Sequence, residues 1–429
     1  MASSSDDSPH ALVIPHGEHG HAIPTMHLSE SLAAFGFKVS FVYFSTFYAR
    51  MTDRNRVVLP MASPQDGSSG CDGHRDRDKL RVYVVEDSIA PGLPPYMPHL
   101  RLLRSLDASG ILPIKGSPNQ WKSETPVMLN HIPGLPPFPV ELIPADLRFV
   151  DSSNYFAKFF NYVHSCLKFG ERILIHSMLE LEPDAFKALE LQGLHAYAIG
   201  PLFQHRKKHD SDEQAGCISW LTLQGESSVI YVAFGSATRL SVEDIQELAI
   251  GLEASGKPFL WVIREDPHRM GEPLQVLPDG FLERTRGRGL IVSWAPQVEV
   301  LAHKAVGGFL SHCGWNSILE SFWEGVPMLC CASHAEQRLN SHYVCNVWGA
   351  GLEMGRTDKS GIGRRFVEFG VKALFQSDEG SKARSKAQEI MHLAKRTCQP
   401  AGQSFDNLQK FYDDMKALCT KPSTHTCAM

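Results

Sequence analysis

Two kinds of hydrophobic pattern alternate along this chain. Short apolar runs are typical of buried strands, and longer stretches with apolar positions three or four apart are typical of helices. In the first half, the predicted strands are 11–14, 39–44, 82–85 and 172–176. In the second half, the predicted strands are 229–234, 259–264, 290–294 and 308–311, and the predicted helices include 241–254, 318–324 and 404–418. This alternation predicts two α/β domains with parallel sheets.

The first predicted strand leads into a loop and a helix. Residues 15–22 are rich in His and Gly and predict a loop, while Pro24 suits the first turn of the helix that follows. Gly36 suits the position just past the end of that helix. This order of strand, loop, helix and strand is typical of a doubly wound α/β domain.

A polar segment over 204–215 predicts a linker between two domains. The first domain would cover 1–203 and the second 216–403, followed by a C-terminal helix and tail over 404–429. Two domains are expected for 429 residues, because single hydrophobic cores stop growing near roughly 250–300 residues. The Pro-rich segments 91–98 and 132–144 predict ordered loops rather than helices.

Charge and cysteine content argue against several classes of function. A net charge of −5 gives no electrostatic reason to expect a nucleic acid or an anionic membrane as partner. The chain has no apolar run long enough for a membrane span, and its start lacks the basic and apolar regions of a secretory signal. The 10 cysteines form no C-x-x-C pair, which favours free thiols in a reducing compartment. We therefore expect a cytoplasmic protein, working as a monomer.

The densest candidate chemistry follows the last predicted strand. The apolar run 308–311 leads into the turn 312–317, which contains glycine, and then into a helix. At such a junction the backbone N–H groups and the positive end of the helix dipole favour an anion. His312, Asn316 and Ser317 add side-chain donors at the same place. The pattern predicts a site for a diphosphate.

Other residues nearby extend this site to a whole nucleotide. Trp294 offers a flat apolar face on which a base can stack, and the carboxylate of Glu320 can accept from a ribose diol. Each has a plainer interpretation: Trp294 as a core residue, and Ser317-x-x-Glu320 as a helix capping box. Ser236 lies in the turn after another predicted strand, 229–234, and could add a phosphate contact or belong to an ordinary βα turn.

The same stretch resembles the signature box of the plant-type UDP-glycosyltransferases. That box runs 44 positions, and here Trp294 through Gln337 gives the same length, with WAPQ, HCGWNS and the closing acidic-Gln pair in register. The resemblance implies a GT-B fold, in which two facing Rossmann-like domains form a cleft. The donor would bind the C-terminal domain and the acceptor the N-terminal one, and the last helix would pack back on the N-terminal domain.

The resemblance also implies a set of donor-binding residues and a co-substrate, with no separate cofactor and no metal. In the family, Gln at the closing position goes with glucose and His with galactose, so Gln337 implies UDP-glucose. The residue before it is usually Asp, and here it is Glu336. The implied donor-binding residues are Ser236, Trp294, Ala295, Gln297, His312, Gly314, Trp315, Asn316, Ser317, Glu320, Glu336 and Gln337.

The implied catalytic base is His21. The segment 15–24 matches the family loop in which the residue after a glycine is the catalytic His, and an imidazole titrating near neutrality suits a phenol or alcohol. His16, His19 and His27 crowd the same region, so a metal site is an alternative, although the spacing does not suit structural zinc. A purely structural role is a further alternative for His16 and His19.

One segment expected from the resemblance is absent. In the family, an Asp at the end of a later strand holds the catalytic His, and that strand lies between two segments that nearly adjoin here, around 96–110. Roughly 30 residues, about one βα unit, are missing. Neither Asp87 nor Asp107 lies in an apolar strand that could replace the missing one. A shortened splice form, an incorrect gene model and a working variant would all give this sequence.

The residues and the resemblance together predict an inverting UDP-glucosyltransferase. Its acceptor would be a small lipophilic molecule with a hydroxyl group, of the flavonoid, terpenoid or hormone class. The alternative is a protein that binds a nucleotide sugar with little or no transfer, because the segment with the base-orienting Asp is absent. An NAD-type dehydrogenase is disfavoured, since no G-x-G-x-x-G follows the first strand.

Overall fold

The computed structural model describes both halves of the chain. The described residues are 9–13, 19–44, 80–85, 127–143, 172–202, 212–236, 238–264, 273–334, 336–357 and 361–419. The expected alternation of strands and helices is present in each half. The Pro-rich segment 91–98, the segment around 96–110, Asp87 and Asp107 lie outside the described residues.

Parallel strands form the described core of the first half. Its elements are β1 (His10–Val13), α1 (His19–Ala34), β2 (Lys38–Phe44), β3 (Leu80–Val85), β4 (Met128–Leu129), β5 (Phe138–Pro139), β6 (Ile173–Ile175), α2 (Pro183–Leu191) and β7 (Ala196–Ala198). A parallel sheet has the order β1-β2-β3, and β6 pairs with β7 in parallel. The short antiparallel pair β4–β5 lies in the predicted loop region 132–144 and just before it.

Helix α1 begins earlier than the sequence predicts. It starts at His19, so Pro24 lies inside the helix rather than in its first turn, and the predicted loop ends before residue 19. A proline inside a helix removes one backbone hydrogen bond, and the helix extends past it by more than a turn. The predicted end is confirmed, because Gly36 has a φ of 107° and the N–H of Phe37 donates to the carbonyl of Leu32.

The second half is a larger α/β unit. Its elements are α3 (Asp212–Thr222), β8 (Val229–Ala233), α4 (Val242–Ser255), β9 (Phe259–Val262), α5 (Phe281–Arg284), β10 (Gly289–Val292), α6 (Gln297–Leu301), β11 (Val306–Ser311), α7 (Trp315–Glu324), β12 (Met328–Cys330), α8 (Gln337–His342), β13 (Gly351–Glu353), α9 (Arg364–Gln376), α10 (Asp378–Thr397) and α11 (Gln403–Cys419). Because α3 begins at Asp212, the last part of the predicted linker is helical. Residues 203–211 lie outside the described residues.

The six-stranded sheet of this half is entirely parallel. Its order is β10-β9-β8-β11-β12-β13. The chain moves outward from β8 to β10 and then returns to the other side of β8 as β11. This reversal is a topological switch point, and in open α/β sheets ligands bind at the carboxyl ends of the strands beside it.

Both faces of this sheet are covered by helices. Along β8, Val229, Tyr231 and Ala233 face the cluster that contains Ile318 of α7. Ile230 and Val232 alternate with them and face the cluster built with α4 and α9. A strand that is buried on both faces has a continuous run of apolar residues. The sequence predicts these strands well for that reason.

The C-terminal helix returns to the first half. Leu408, Phe411 and Tyr412 of α11 pack in one cluster with Phe37 and Tyr197. The rings of Phe37 and Phe411 stack with centroids 5.7 Å apart. The return of the last helix, expected from the resemblance, is therefore present in the structure.

The described strands of the first half fall into separate sheets. Among the described residues, β1 pairs with β2, and the β6–β7 pair belongs to a different sheet. The loss of a βα unit around 96–110 falls outside the described residues and stays a prediction from the sequence.

Candidate donor site at the switch point

The carboxyl ends of β8 and β11 meet around the ring of His312. A Cβ on Gly314 would come within 2.5 Å of His312 Nε2, and a Cβ on Gly235 would overlap the same atom. Gly235 also has a φ of 71°, which few other residues adopt. Two glycines thus leave room for one imidazole between adjacent strand ends. Ser236 follows Gly235 and is exposed at this edge.

Burial keeps the His312 ring neutral. Burial first, and then the charges of His334 and Arg264, lower the pKa of His312 to about 3. Its Nδ1 atom is buried and has no hydrogen-bond partner among the described residues. A neutral imidazole can offer an N–H to an anion at neutral pH.

Helix α7 begins with a glycine rather than a capping side chain. Its N-cap residue is Gly314, which makes no side-chain cap hydrogen bond. Ser317 is the third helical residue, so the pair Ser317 and Glu320 does not form a capping box, and that plainer interpretation is wrong. With ten residues, α7 is long enough for its dipole to favour an anion at this end.

The amide of Gln297 gathers two of the predicted site residues. Its Nε2 donates to Ser317 Oγ at 3.0 Å and to Glu320 Oε2 at 2.6 Å. On its other side, the hydroxyl of Tyr231 donates to Gln297 Oε1 at 3.2 Å. Burial, followed by the charge of Glu320, raises the pKa of Tyr231 above its ordinary value of 10, so this hydroxyl stays a donor.

The remaining predicted residues lie on two other segments. Trp294 is half-buried two residues beyond β10, and Ala295 is buried in the core. Gln337 begins α8 and is buried, while Glu336 is its half-buried N-cap residue. Trp294 keeps some exposed ring surface, as a stacking role requires.

Trp315 makes a contact between the two halves that the sequence does not predict. Its indole Nε1 donates to the carbonyl oxygen of His176 in the first half, at 2.7 Å. The ring nitrogen therefore joins the two halves, and the implied donor-binding role of Trp315 stays a prediction. Asn316, next to it in the first turn of α7, is half-buried.

The comparisons with known proteins agree with this geometry. Residues 198–362 match the model of the UDP-glucoronosyl and UDP-glucosyl transferase family. UDP-glycosyltransferase 85A5 of Arabidopsis thaliana is 30% identical over 490 residues, covering 96% of this chain and 98% of the relative. The chain belongs to the plant UDP-glycosyltransferases. It is therefore a glycosyltransferase that acts on small molecules with a UDP-sugar as co-substrate.

This UDP-glycosyltransferase is also similar to a second curated relative and to a solved structure. The 7-deoxyloganetin glucosyltransferase of Catharanthus roseus is 30% identical over 98% of this chain and 99% of the relative. The structure of Phytolacca americana UGT2 complexed with UDP-2fluoro-glucose and pterostilbene has a TM-score of 0.76 and 29% identity, covering 95% of this chain and 100% of that one. The expected GT-B fold is confirmed by this likeness.

The alignment with the Arabidopsis protein also bears on chain length. It spans 490 positions, whereas 96% of 429 residues is about 412, so about 78 positions have no residue in this UDP-glycosyltransferase. A deletion of about one βα unit would account for part of this difference.

The predicted base stands at the start of α1. His21 is the third residue of that helix, and its side chain lies outside what the structure describes, as does His16. His27 is buried further along the same helix. Within the described residues, no group of His, Cys, Asp or Glu side chains could hold a metal ion. In that same part of the chain, no helix is long and apolar enough to cross a membrane.

Several residues of this UDP-glycosyltransferase site were missed by sequence reasoning. Asn340 Nδ2 donates to the carbonyl of Cys313 at 3.0 Å and so fixes the turn before α7. Arg264 and His334 lie close enough to His312 to affect its pKa. Arg264 is the last residue of a predicted strand, and this position could have identified it as a site residue. Asn340 and His334 can be identified only from their contacts in the folded structure.

Proposed function

We propose that this protein is an inverting glucosyltransferase that moves glucose from UDP-glucose to a hydroxyl group of a small lipophilic acceptor. The observation that carries the donor assignment is the contact network at the start of α7. There Gln297 joins Ser317 to Glu320, and the neutral His312 lies between two glycines. Neutral donors and a helix N-terminus at a switch point suit a diphosphate.

Each part of the donor has a proposed partner. The diphosphate would accept hydrogen bonds from His312, Ser317 and the first turn of α7, with Ser236 adding a contact from β8. The uracil would stack on Trp294, and Glu320 would accept from the ribose diol. Gln337 and Glu336 would bind the hydroxyl groups of glucose.

The proposed chemistry is a single displacement. His21 takes the proton from the acceptor hydroxyl as its oxygen bonds to the anomeric carbon, and the bond from that carbon to the UDP oxygen breaks. Attack from the face opposite to UDP inverts the anomeric configuration. The positive end of α7 stabilises the charge that develops on the leaving diphosphate.

The acceptor class rests on the relatives. One similar protein is named for 7-deoxyloganetin and one similar structure contains pterostilbene, both small molecules. A lipophilic natural product or hormone is therefore the proposed acceptor. That the protein works as a cytoplasmic monomer stays a prediction from its sequence.

A second candidate is a protein that binds UDP-glucose with little transfer. It is favoured by the sequence, which lacks, around 96–110, the segment that the resemblance expects to supply the base-orienting Asp. Removing the comparable carboxylate in a serine protease lowers the rate by about 10⁴. In this case the donor-binding residues of the second half would still bind UDP-glucose.

One experiment separates the two candidates. UDP-glucose binding is measured by calorimetry, and glucoside formation is measured on a panel of phenols and terpenoid alcohols. Binding together with glucoside formation supports the transferase, and binding without any product supports the second candidate. If neither UDP nor UDP-glucose binds, both are wrong.

A further inference from the structure

The amide of Gln337 is held by two neighbouring side chains. Its Nε2 lies 3.3 Å from His334 Nε2, and its Oε1 lies 3.4 Å from Ser333 Oγ and 3.5 Å from the backbone N of Ser333. Ser333 Oγ also lies 2.7 Å from His334 Nδ1. The three side chains thus form a closed ring of contacts beside the donor site.

Only one pattern of protons satisfies this ring. The backbone N–H of Ser333 donates to Gln337 Oε1, so that amide atom is the oxygen and the other is the NH₂ group. The NH₂ group must then donate to His334 Nε2, which requires a neutral imidazole that carries its proton on Nδ1. That proton goes to Ser333 Oγ, and the Ser333 hydroxyl donates to Gln337 Oε1.

This pattern decides what Gln337 can offer to a ligand. Its carboxamide oxygen already accepts from Ser333, while one N–H of the NH₂ group is not needed by His334. The group available for a sugar hydroxyl is therefore an N–H donor. If His334 Nε2 carried a proton, two donors would face each other across 3.3 Å.

Burial favours the neutral form of His334. Burial lowers the pKa of this half-buried ring below its ordinary value of 6.5; Glu336 acts in the opposite direction, and Arg356 lowers it further. His312, across the site, is itself neutral and has its pKa lowered in part by His334. The imidazole is therefore uncharged near neutral pH.

We propose that His334 is a positioning residue for the donor sugar: as a neutral acceptor it fixes the Gln337 amide so that an N–H faces a glucose hydroxyl. This rests on the proposed function, because it assigns the contact that distinguishes UDP-glucose from UDP. UDP lacks the sugar, so its binding does not depend on this ring.

The test compares the affinities for UDP and UDP-glucose by calorimetry, from about pH 8, above the ordinary imidazole pKa, down to the lowest pH at which the protein stays folded. His334→Leu removes the acceptor, and we expect a two- to tenfold loss of UDP-glucose affinity relative to UDP at pH 8, as for one neutral hydrogen bond. His334→Gln keeps an acceptor at similar reach and should restore the ratio. As the pH falls through the lowered pKa of His334, the wild-type ratio should fall relative to that of His334→Gln at the same pH, because the titration of the UDP phosphate affects both proteins alike.

A matched control is His342→Gln, since His342 is also half-buried with a lowered pKa and bonds Asn346 instead of Gln337. It should keep the wild-type pH dependence. An unchanged ratio in His334→Leu, or a wild-type pH dependence in His334→Gln, overturns the role of His334 while UDP binding still supports the proposed function. If the wild type binds neither ligand, both proposals fall together.

Discussion

The indole Nε1 of Trp315 donates a hydrogen bond to the backbone carbonyl oxygen of His176, with 2.7 Å between the two atoms. The contact joins the first residue of α7 to the residue that follows β6. It therefore links the helix end proposed to hold the diphosphate to the half proposed to hold the acceptor. His176 is fixed in turn, because its Nε2 accepts from the N–H of Leu202 at 3.0 Å.

We expect Trp315→Phe to weaken both stability and donor binding. The carbonyl of His176 would lose its donor, at a cost of about 1–3 kcal/mol in the free energy of unfolding. The control is Trp348→Phe, whose ring packs against Trp315 but whose indole donates to the carbonyl of Leu181 at 3.2 Å. Urea unfolding and UDP calorimetry check this. Equal UDP affinities in the two variants would contradict the link.

Replacing Gln297 by Glu should disrupt the donor site. The new carboxylate would lie beside Glu320 and could no longer donate to it or to Ser317, so like charges would face each other. We expect UDP affinity to fall at least tenfold, roughly the cost of a lost hydrogen bond to a charged group. Gln297→Met, which is neutral and of similar length, should bind UDP better than the Glu variant. The reverse order would show that charge is not the cause.

A methyl group at Gly314 should displace His312. The added Cβ would come within 2.5 Å of His312 Nε2, which is too close for any contact, so the ring must move. We expect UDP affinity to fall at least tenfold on the same scale. In Gly216→Ala the Cβ meets open space on α3, and the variant should gain about 0.5–1 kcal/mol of stability and bind UDP normally. Normal UDP binding by Gly314→Ala would show that His312 does not take part in binding UDP.

His21→Ala should stop transfer and leave donor binding intact. General-base catalysis contributes about 10²–10⁴-fold to rates, and His21 is proposed to touch the acceptor, not UDP. Glucoside formation and UDP calorimetry measure the two properties separately. As a control, His10→Ala removes an exposed imidazole of β1 that contacts Ser40, and it should keep full turnover. Turnover in His21→Ala would mean that another group is the base.

The docking of α11 should depend on acid pH. Asp414 Oδ2 accepts from the Tyr197 hydroxyl at 2.6 Å and from Arg172 Nε at 3.3 Å. The Tyr197 bond first, and the Arg172 bond after it, lower the pKa of Asp414 below its ordinary value of 3.8. The stability from this carboxylate is therefore present above pH 3.8 and is lost as the pH falls through the lower folded value.

The variant Asp414→Asn tests this dependence. At neutral pH it should be less stable than the wild type by up to about 1 kcal/mol, since the pair is partly exposed. Below pH 3.8 the difference should shrink, because the wild type then loses the same contribution. Asp413→Asn is the control, as Asp413 accepts from Gln409 of the same helix. Urea unfolding at several pH values measures the difference, and a constant gap would contradict the linkage.

The sequence predicts the second half well for a physical reason. The run 229–234 matches β8 (Val229–Ala233) closely, because a strand buried on both faces must be apolar throughout. The start of α4 is also predicted, since Ser241 is its N-cap and accepts from the N–H of Asp244. Both signals are local, so the sequence contains them.

Other features were missed because local sequence signals do not contain them or favour a different structure. The role of Trp315 depends on His176, which is 139 positions away. The contact between His334 and the amide of Gln337 depends on the path of the backbone between them, which brings the two side chains together. The early start of α1 was missed because Pro24 strongly favours a first turn when only local preference is considered.

The last helix has a consequence for biosynthesis. Residues 403–419 complete the hydrophobic cluster around Phe37 and Tyr197, which leave the ribosome long before them. The first half must therefore wait for α11, and its apolar face stays uncovered while the second half is translated. A nascent chain of this protein is expected to need chaperone protection until α11 has been made.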